Sequence, residues 1–252
     1  MDNYNTPEND PKVAYDMVSL PSEGVYYPHK KKALKVSYLT ASDENILTSP
    51  NLTASDEVMD TLLRAKILEK DVVIEDLVEC DKQAVYIFLR NTAFGSEYHF
   101  TLTDPKDKSS FKHTEDLSIL KTKEIEERPD ENGEYSLTLP VSGHKIKVRL
   151  LKPQEERELE ELKERYKDQK ISPLATKRLE KMVTEIEGER DPMTLSVNLH
   201  TLPLKDSHTI RNFLIKVTPG LDLKRTVKAP SGSEVTFTIT FGLSFFRTFF
   251  GI

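Results

Sequence analysis

Histidine and cysteine are the side chains best able to ligate a metal or exchange a proton near neutral pH, and this chain of 252 residues has six histidines and one cysteine. His29, His99, His113, His144, His200 and His208 never fall into a ligand spacing such as His-Glu-x-x-His, and none forms a nucleophile arrangement with Cys80. Each is expected on a polar face or in a loop. The nearest approach to an acid–base cluster is His113 with Glu115-Asp116; on a strand His113 and Glu115 share a face, with no third group to orient them. Cys80, just before a central helix, reads as a packing residue, although a helix N-terminus can lower a thiol pKa. The sequence has no phosphate loop, no Gly-x-Ser-x-Gly and no Gly-x-Gly-x-x-Gly, and no paired carboxylates in a Gly- and aromatic-rich cleft signature. The reading is therefore non-enzymatic, with no catalytic, cofactor-binding or metal-binding residues.

The element expected to position everything else runs from Asp81 to Pro105. From Ala84 to Phe94 the apolar residues recur at helical spacing around most of the circumference, which predicts a centrally buried helix with Asp81 at its start and Gly95 at its stop. After the glycine, Tyr98, Phe100 and Leu102 alternate with polar residues, the period of a half-buried strand.

Two segments carry a resemblance: Leu20-Pro21-Ser22-Glu23-Gly24-Val25-Tyr26-Tyr27-Pro28, and Leu89-Arg90 followed by Phe94-Gly95-Ser96-Glu97-Tyr98. Together with the Pro203 to Lys216 helix and the Phe245-Phe246 pair, they make the chain resemble the baseplate hub subunits of contractile-tailed bacteriophages related to T4, from about Leu20 onward. The resemblance implies a structural or assembly subunit of the hub. Its implied partners are other hub proteins and the tape-measure protein, and its implied location is the virion tail baseplate, with the host cytoplasm as the place of assembly. A transient tail-assembly chaperone, absent from finished particles, is the alternative. The resemblance implies that many members of that family carry cysteine pairs at the turn Asp104 to Ser110 and again at Ala229-Pro230-Ser231-Gly232, where Cys-Pro-x-Cys-Gly would make a zinc knuckle. This chain has no cysteine at either turn, so the resemblance brings no metal site with it.

Around the central unit the fold class reads as α+β. Tyr15 to Leu20 and Leu34 to Tyr38 are predicted strands flanking a loop punctuated by Pro21, Gly24 and Pro28, in which Tyr26 and Tyr27 are packing anchors. Thr40-Ala41-Ser42-Asp43-Glu44 and Thr53-Ala54-Ser55-Asp56-Glu57 each start a helix, the first ending near Leu47 with a break at Pro50, the second near Leu68. Phe111 to Leu120 returns as a strand. Tyr135 to Leu139 and Ile146 to Leu150 form a hairpin around Ser142-Gly143. Pro153 to Lys167 has only Leu159, Leu162 and Tyr166 as an apolar line, too narrow for a core, so with a second helix from Ser172-Pro173 to Gly188 it is expected to form a protruding antiparallel helical hairpin. Met193 to Leu199 alternates as a strand, and Asp206 to Lys216 is a helix.

Six of the 11 phenylalanines follow Ser233. A strand to Phe241 is broken by Gly242, and Phe245, Phe246, Phe249 and Phe250 then offer apolar area worth on the order of 10 kcal/mol if fully buried. Either this aromatic tail caps its own sheet or a partner holds it. The expectation is attachment, with Phe245, Phe246, Phe249, Phe250, Leu159, Leu162 and Tyr166 as partner-binding residues. The domain reading is a flexible tail 1–14, an α+β domain 15–151, an arm 152–190 and a C-terminal α+β segment 191–252.

With 37% hydrophobic and 31% charged residues the composition is that of a globular chain. A net charge of −6 disfavours a general grip on nucleic acid, and Lys30-Lys31-Lys32 reads as a solvated loop. A single cysteine excludes an internal disulfide and fits a reducing compartment. Neither a signal peptide nor a membrane span is expected, so the chain is expected to begin as written. Homo-oligomerisation is left open by the sequence.

Overall fold

The computed structural model describes residues 13–48, 55–123 and 125–247. Among them the fold is α+β, with eight helices and antiparallel sheets of two or three strands. The chain divides into two units, Met1–Lys123 with Gly220–Ile252, and Glu124–Pro219. The second is an insertion in the first. Its stems leave and return side by side, with Thr122 bridged antiparallel to Leu221, the Lys123 N–H on the Gly220 carbonyl at 2.8 Å and the Asp222 N–H on the Lys121 carbonyl at 2.9 Å. The boundaries at 151 and 190 are corrected accordingly, because each unit gathers its own apolar cluster without regard to them.

The first unit opens with β1 (Tyr15–Ser19) paired antiparallel to β2 (Ala33–Ser37), Val18 opposite Leu34. Helix α1 (Ala41–Leu47) starts where Asp43 accepts from the Thr40 N–H at 2.6 Å and from its hydroxyl at 2.7 Å. The buried Asp43 carboxylate also meets Lys66 Nζ at 2.5 Å, which ties α1 to α2 (Ser55–Lys66). The expected break at Pro50 and the Thr53 cap lie outside the described residues. Helix α3 (Glu79–Phe94) starts two residues before Asp81, so Cys80 and Asp81 belong to its first turn. Val85 and Leu89 on it are fully buried, and Gly95, at φ +83°, ends it with its N–H on the Asn91 carbonyl. Strand β3 (Glu97–Thr103) alternates as read and pairs with β4 (Ser110–Asp116), which stops short of Leu120 in a 3-10 turn.

In the inserted unit β5 (Glu134–Thr138) and β6 (Lys145–Arg149) make the expected hairpin. Helices α4 (Pro153–Arg165) and α5 (Leu174–Met182) follow, joined by the Glu156–Arg178 and Glu158–Lys181 ion pairs. The second helix was expected to continue to Gly188, but Val183–Ile186 is a strand, β7, paired with β6. Two β-branched residues at its ends, Val183 and Ile186, face Val148 and Ile146 across the ladder, and that burial outweighs helical continuation. The segment from Pro153 to Glu187 is therefore no arm outside the core, since Leu179, Met182, Val183 and Ile186 help build it. Met193 to Leu199 is also corrected, from strand to helix α6 (Pro192–His200). Asp191 accepts the Thr194 N–H at 2.9 Å and Pro192 occupies the first turn, while Leu195 and Leu199, one helical turn apart, go inward and Val197 stays 67% exposed. Helix α7 (Leu204–Val217) buries Ile210, Leu214 and Val217.

Back in the first unit, β8 (Lys224–Lys228) and β9 (Glu234–Thr238) form a hairpin, and α8 (Leu243–Arg247) turns Phe245 and Phe246 fully into the core. Among the described residues no helix is long and apolar enough to cross a membrane.

The connection from β1 to β2 depends on Gly24. It sits at φ +70°, and an added Cβ would lie 2.1 Å from the Lys31 carbonyl oxygen. Gly24→Ala is expected to cost about 2–4 kcal/mol. Gly143→Ala, at a similar φ but in open space, is expected to cost about 1 kcal/mol. Equilibrium denaturation of the two variants checks the difference, and equal losses would contradict it.

Candidate functional site

Asp81 is sealed from solvent in the first turn of α3. Its Oδ1 accepts the Ser22 N–H at 2.9 Å, and its Oδ2 accepts the Ser22 hydroxyl and the Tyr27 hydroxyl, each at 2.5 Å. Tyr27 Oη in turn accepts the N–H of Val78, the residue before the helix, at 2.9 Å, and the Gly24 N–H donates to Ser22 Oγ at 3.1 Å. The Leu20 to Pro28 segment is thus a plug whose polar groups converge on one carboxylate. Burial pushes the Asp81 carboxyl up against the opposing pull of the Ser22 and Tyr27 hydrogen bonds. Burial, then the charge of Asp81, pushes both the Tyr27 phenol and the Cys80 thiol well up. A thiol held protonated is no nucleophile, so the helix N-terminus does not activate Cys80.

At the other end of α3, the guanidinium of the fully buried Arg90 donates to the Gly95 and Glu97 carbonyls, both at 2.9 Å. Its carbon lies 4.9 Å from the Tyr98 ring centroid and 5.5 Å from that of Phe245. Desolvation lowers the Arg90 pKa, opposed by Tyr98. The Leu89 to Tyr98 segment is therefore a clamp that fixes how the strand leaves the helix.

A third constellation joins the two hairpins of this unit. Phe100 meets Phe237 at 4.8 Å between ring centroids, and Glu115 accepts from Arg225 Nε at 2.7 Å while lying 3.3 Å from His113 Nε2. The orienting group missing from the sequence reading is Arg225, 110 residues away in the chain. At the tips, Asp104 accepts the Ser231 hydroxyl at 2.8 Å and its N–H at 3.1 Å. Burial raises the Asp104 pKa, but hydrogen bonds from Lys106 and Ser231 outweigh it and hold the carboxyl below the usual value. The two turns at which the resemblance places cysteine pairs thus do meet, and hydrogen bonds fasten them. Among the described residues no three or more His, Cys, Asp or Glu side chains are grouped to hold a metal.

The residues expected to bind a partner scatter. Phe245 and Phe246 are corrected from attachment to core: Phe245 packs on Tyr98 at 5.2 Å and Phe241 at 4.9 Å, and Phe246 meets Tyr86 edge-on. Phe249 and Phe250 lie outside the described residues. Leu159 is buried, which leaves it no surface for a partner, whereas Leu162 and Tyr166 are half-buried. Asp81, Arg90, Asp104 and Arg225 were missed as structural nodes. The one signal in the sequence was a set of charges amid apolar periodicity, which does not say where their partners are. No protein-family model, curated protein or solved structure matches the chain.

Because the folded pKa of Asp81 is raised, the folded state holds the proton more tightly than the unfolded chain. Its contribution is present below the unfolded carboxyl value of about 3.9 and is lost as pH rises through the folded one. The stability of the wild type relative to Asp81→Asn is therefore expected to fall as pH rises from 4 toward neutrality. Denaturant unfolding across that range reads it, and a gap that stays constant or widens would contradict it.

Proposed function

We propose that the chain is a non-enzymatic structural or assembly subunit of a bacteriophage contractile-tail baseplate hub, acting through contacts with other hub proteins and the tape-measure protein. One observation carries the reading. The two segments that bear the resemblance occupy the two ends of one helix, Ser22 and Tyr27 on Asp81 at its start and Arg90 on Gly95, Glu97 and Tyr98 at its end. Residues committed in this way to internal hydrogen bonds shape a scaffold rather than act on a substrate, which supports function through the surface. Within this reading Phe249 and Phe250 remain attachment residues.

The chaperone alternative keeps one observation in its favour. Helix α4 presents Glu160, Glu161 and Glu164 to solvent beside half-buried Leu162 and Tyr166, a charged face with an apolar seam suited to a transient partner. Quantitative mass spectrometry of purified virions separates the two. The hub reading expects the chain in fixed ratio to the other tail proteins, and the chaperone reading expects it in assembly intermediates only. A chain cut after Arg247, which spares Phe245 and Phe246, is expected to fold yet fail to join the hub. Normal tails formed in the absence of the protein would overturn both readings.

A further inference from the structure

A partly open cleft of about 180 Å³ lies in the inserted unit, between α7 and the segment that runs from the end of β6 through α4 and α5. Its lining falls on consistent helix faces. Arg211, Leu214 and Ile215 of α7 are three and four residues apart, and Arg178 and Met182 of α5 are four apart, so each set shares one side of its helix. Leu150 and Leu151, between β6 and α4, join the buried Met182 and Leu214 as the apolar part of the wall.

Three charged side chains line the cleft, and two of them offset each other. Glu156 of α4 accepts from both terminal nitrogens of Arg178, Nη1 at 3.1 Å and Nη2 at 2.5 Å, a two-pronged ion pair. Arg211 is left over. Its half-buried side chain reaches back along its own helix, where Nε donates to the Ser207 carbonyl and Nη2 to the Ser207 hydroxyl, both at 3.3 Å. Among the described residues Nη1 has no partner, and no carboxylate pairs with this guanidinium.

We infer that the cleft binds a small monocarboxylate whose apolar body is about the size of one benzene ring. A guanidinium with spare N–H donors fits the two oxygens of a carboxylate. One uncompensated positive charge calls for one negative charge, since a second would be brought against Glu156. The volume sets the body: a cavity of about 150 Å³ lined by apolar side chains holds benzene. Apolar walls with a single orienting charge are the usual make-up of a small-molecule site. The inference does not rest on the hub reading.

Titration of the full chain with phenylacetate, followed through the NMR signals of leucine and methionine methyl groups, tests it, with phenylacetamide as the uncharged isostere. For a ligand of about ten non-hydrogen atoms the expected Kd is on the order of 1 mM, with the Leu150, Leu214 and Met182 signals moving saturably. The amide is expected to bind about tenfold more weakly, as when a hydrogen bond to a charged group is lost, and rising salt is expected to weaken only the acid. Arg211→Gln is expected to abolish the acid's advantage with an unchanged thermal melt, since the bonds Arg211 makes lie within α7. The acid's advantage is read on the wild type alone, so the test does not depend on the variant folding. No saturable shift at concentrations tenfold above the expected Kd overturns the inference. So do equal binding of acid and amide, shifts that spare the cleft methyl groups, or a preference for the acid that survives Arg211→Gln.

Discussion

A carboxylate removed from water destabilises a fold unless hydrogen bonds replace its solvent, and Asp81 receives three of them from a loop 54 and 59 residues away in the chain. Each of those donors would itself cost about 1–3 kcal/mol if left buried without an acceptor. Carboxylate and loop therefore require one another, and the requirement propagates. It holds the connection between β1 and β2 against the first turn of α3, makes Tyr27 a relay to the Val78 N–H and closes the loop so tightly at Gly24 that no side chain fits there. With its N-terminal end so placed, α3 presents Val85 and Leu89 to the centre and Arg90 to the strand that follows.

The second unit is built by a different route. Its centre is a three-stranded sheet covered by helices whose apolar stripes meet it. Its buried acids hold neighbouring segments: Asp206 holds the hairpin turn, and Glu134 holds Arg190 at 2.9 Å and Lys147 at 3.7 Å. Because both stems of the insertion pair with each other inside the first unit, the first unit is complete without any strand from the second.

Much of the local structure was legible because it rests on period alone. The switch at Gly95 from helical to alternating spacing, the Ser142-Gly143 hairpin and the fold class all follow from it. Period misled where two patterns coincide. Leu195, Val197 and Leu199 fit a strand, yet Leu195 and Leu199 also fit one helical turn, and the Asp191-Pro192 start, which was visible in the sequence, decides for the helix. Val183 to Ile186 fitted the helical stripe of α5 but joins β6, a long-range pairing that no local pattern contains. Phe245 and Phe246 read as surplus because, beside the nearby Phe241, their cavity is assembled from Tyr86, Arg90 and Tyr98, residues about 150 positions away in the chain. The polar nodes were hidden for the same reason: Asp81 looks like any helix-starting acid until Ser22 and Tyr27 are placed on it.

The central claim is that the Leu20 to Pro28 loop is held as firmly as the core it plugs, and native-state hydrogen exchange at the Ser22 amide tests it most directly. If the Asp81 node organises the first unit, the Ser22 and Val78 amides open only when that unit unfolds and show the same opening free energy as the Leu89 amide inside α3. If the Ser22 amide instead exchanges orders of magnitude sooner than that of Leu89, the loop opens by itself and Asp81 is not what holds the unit together.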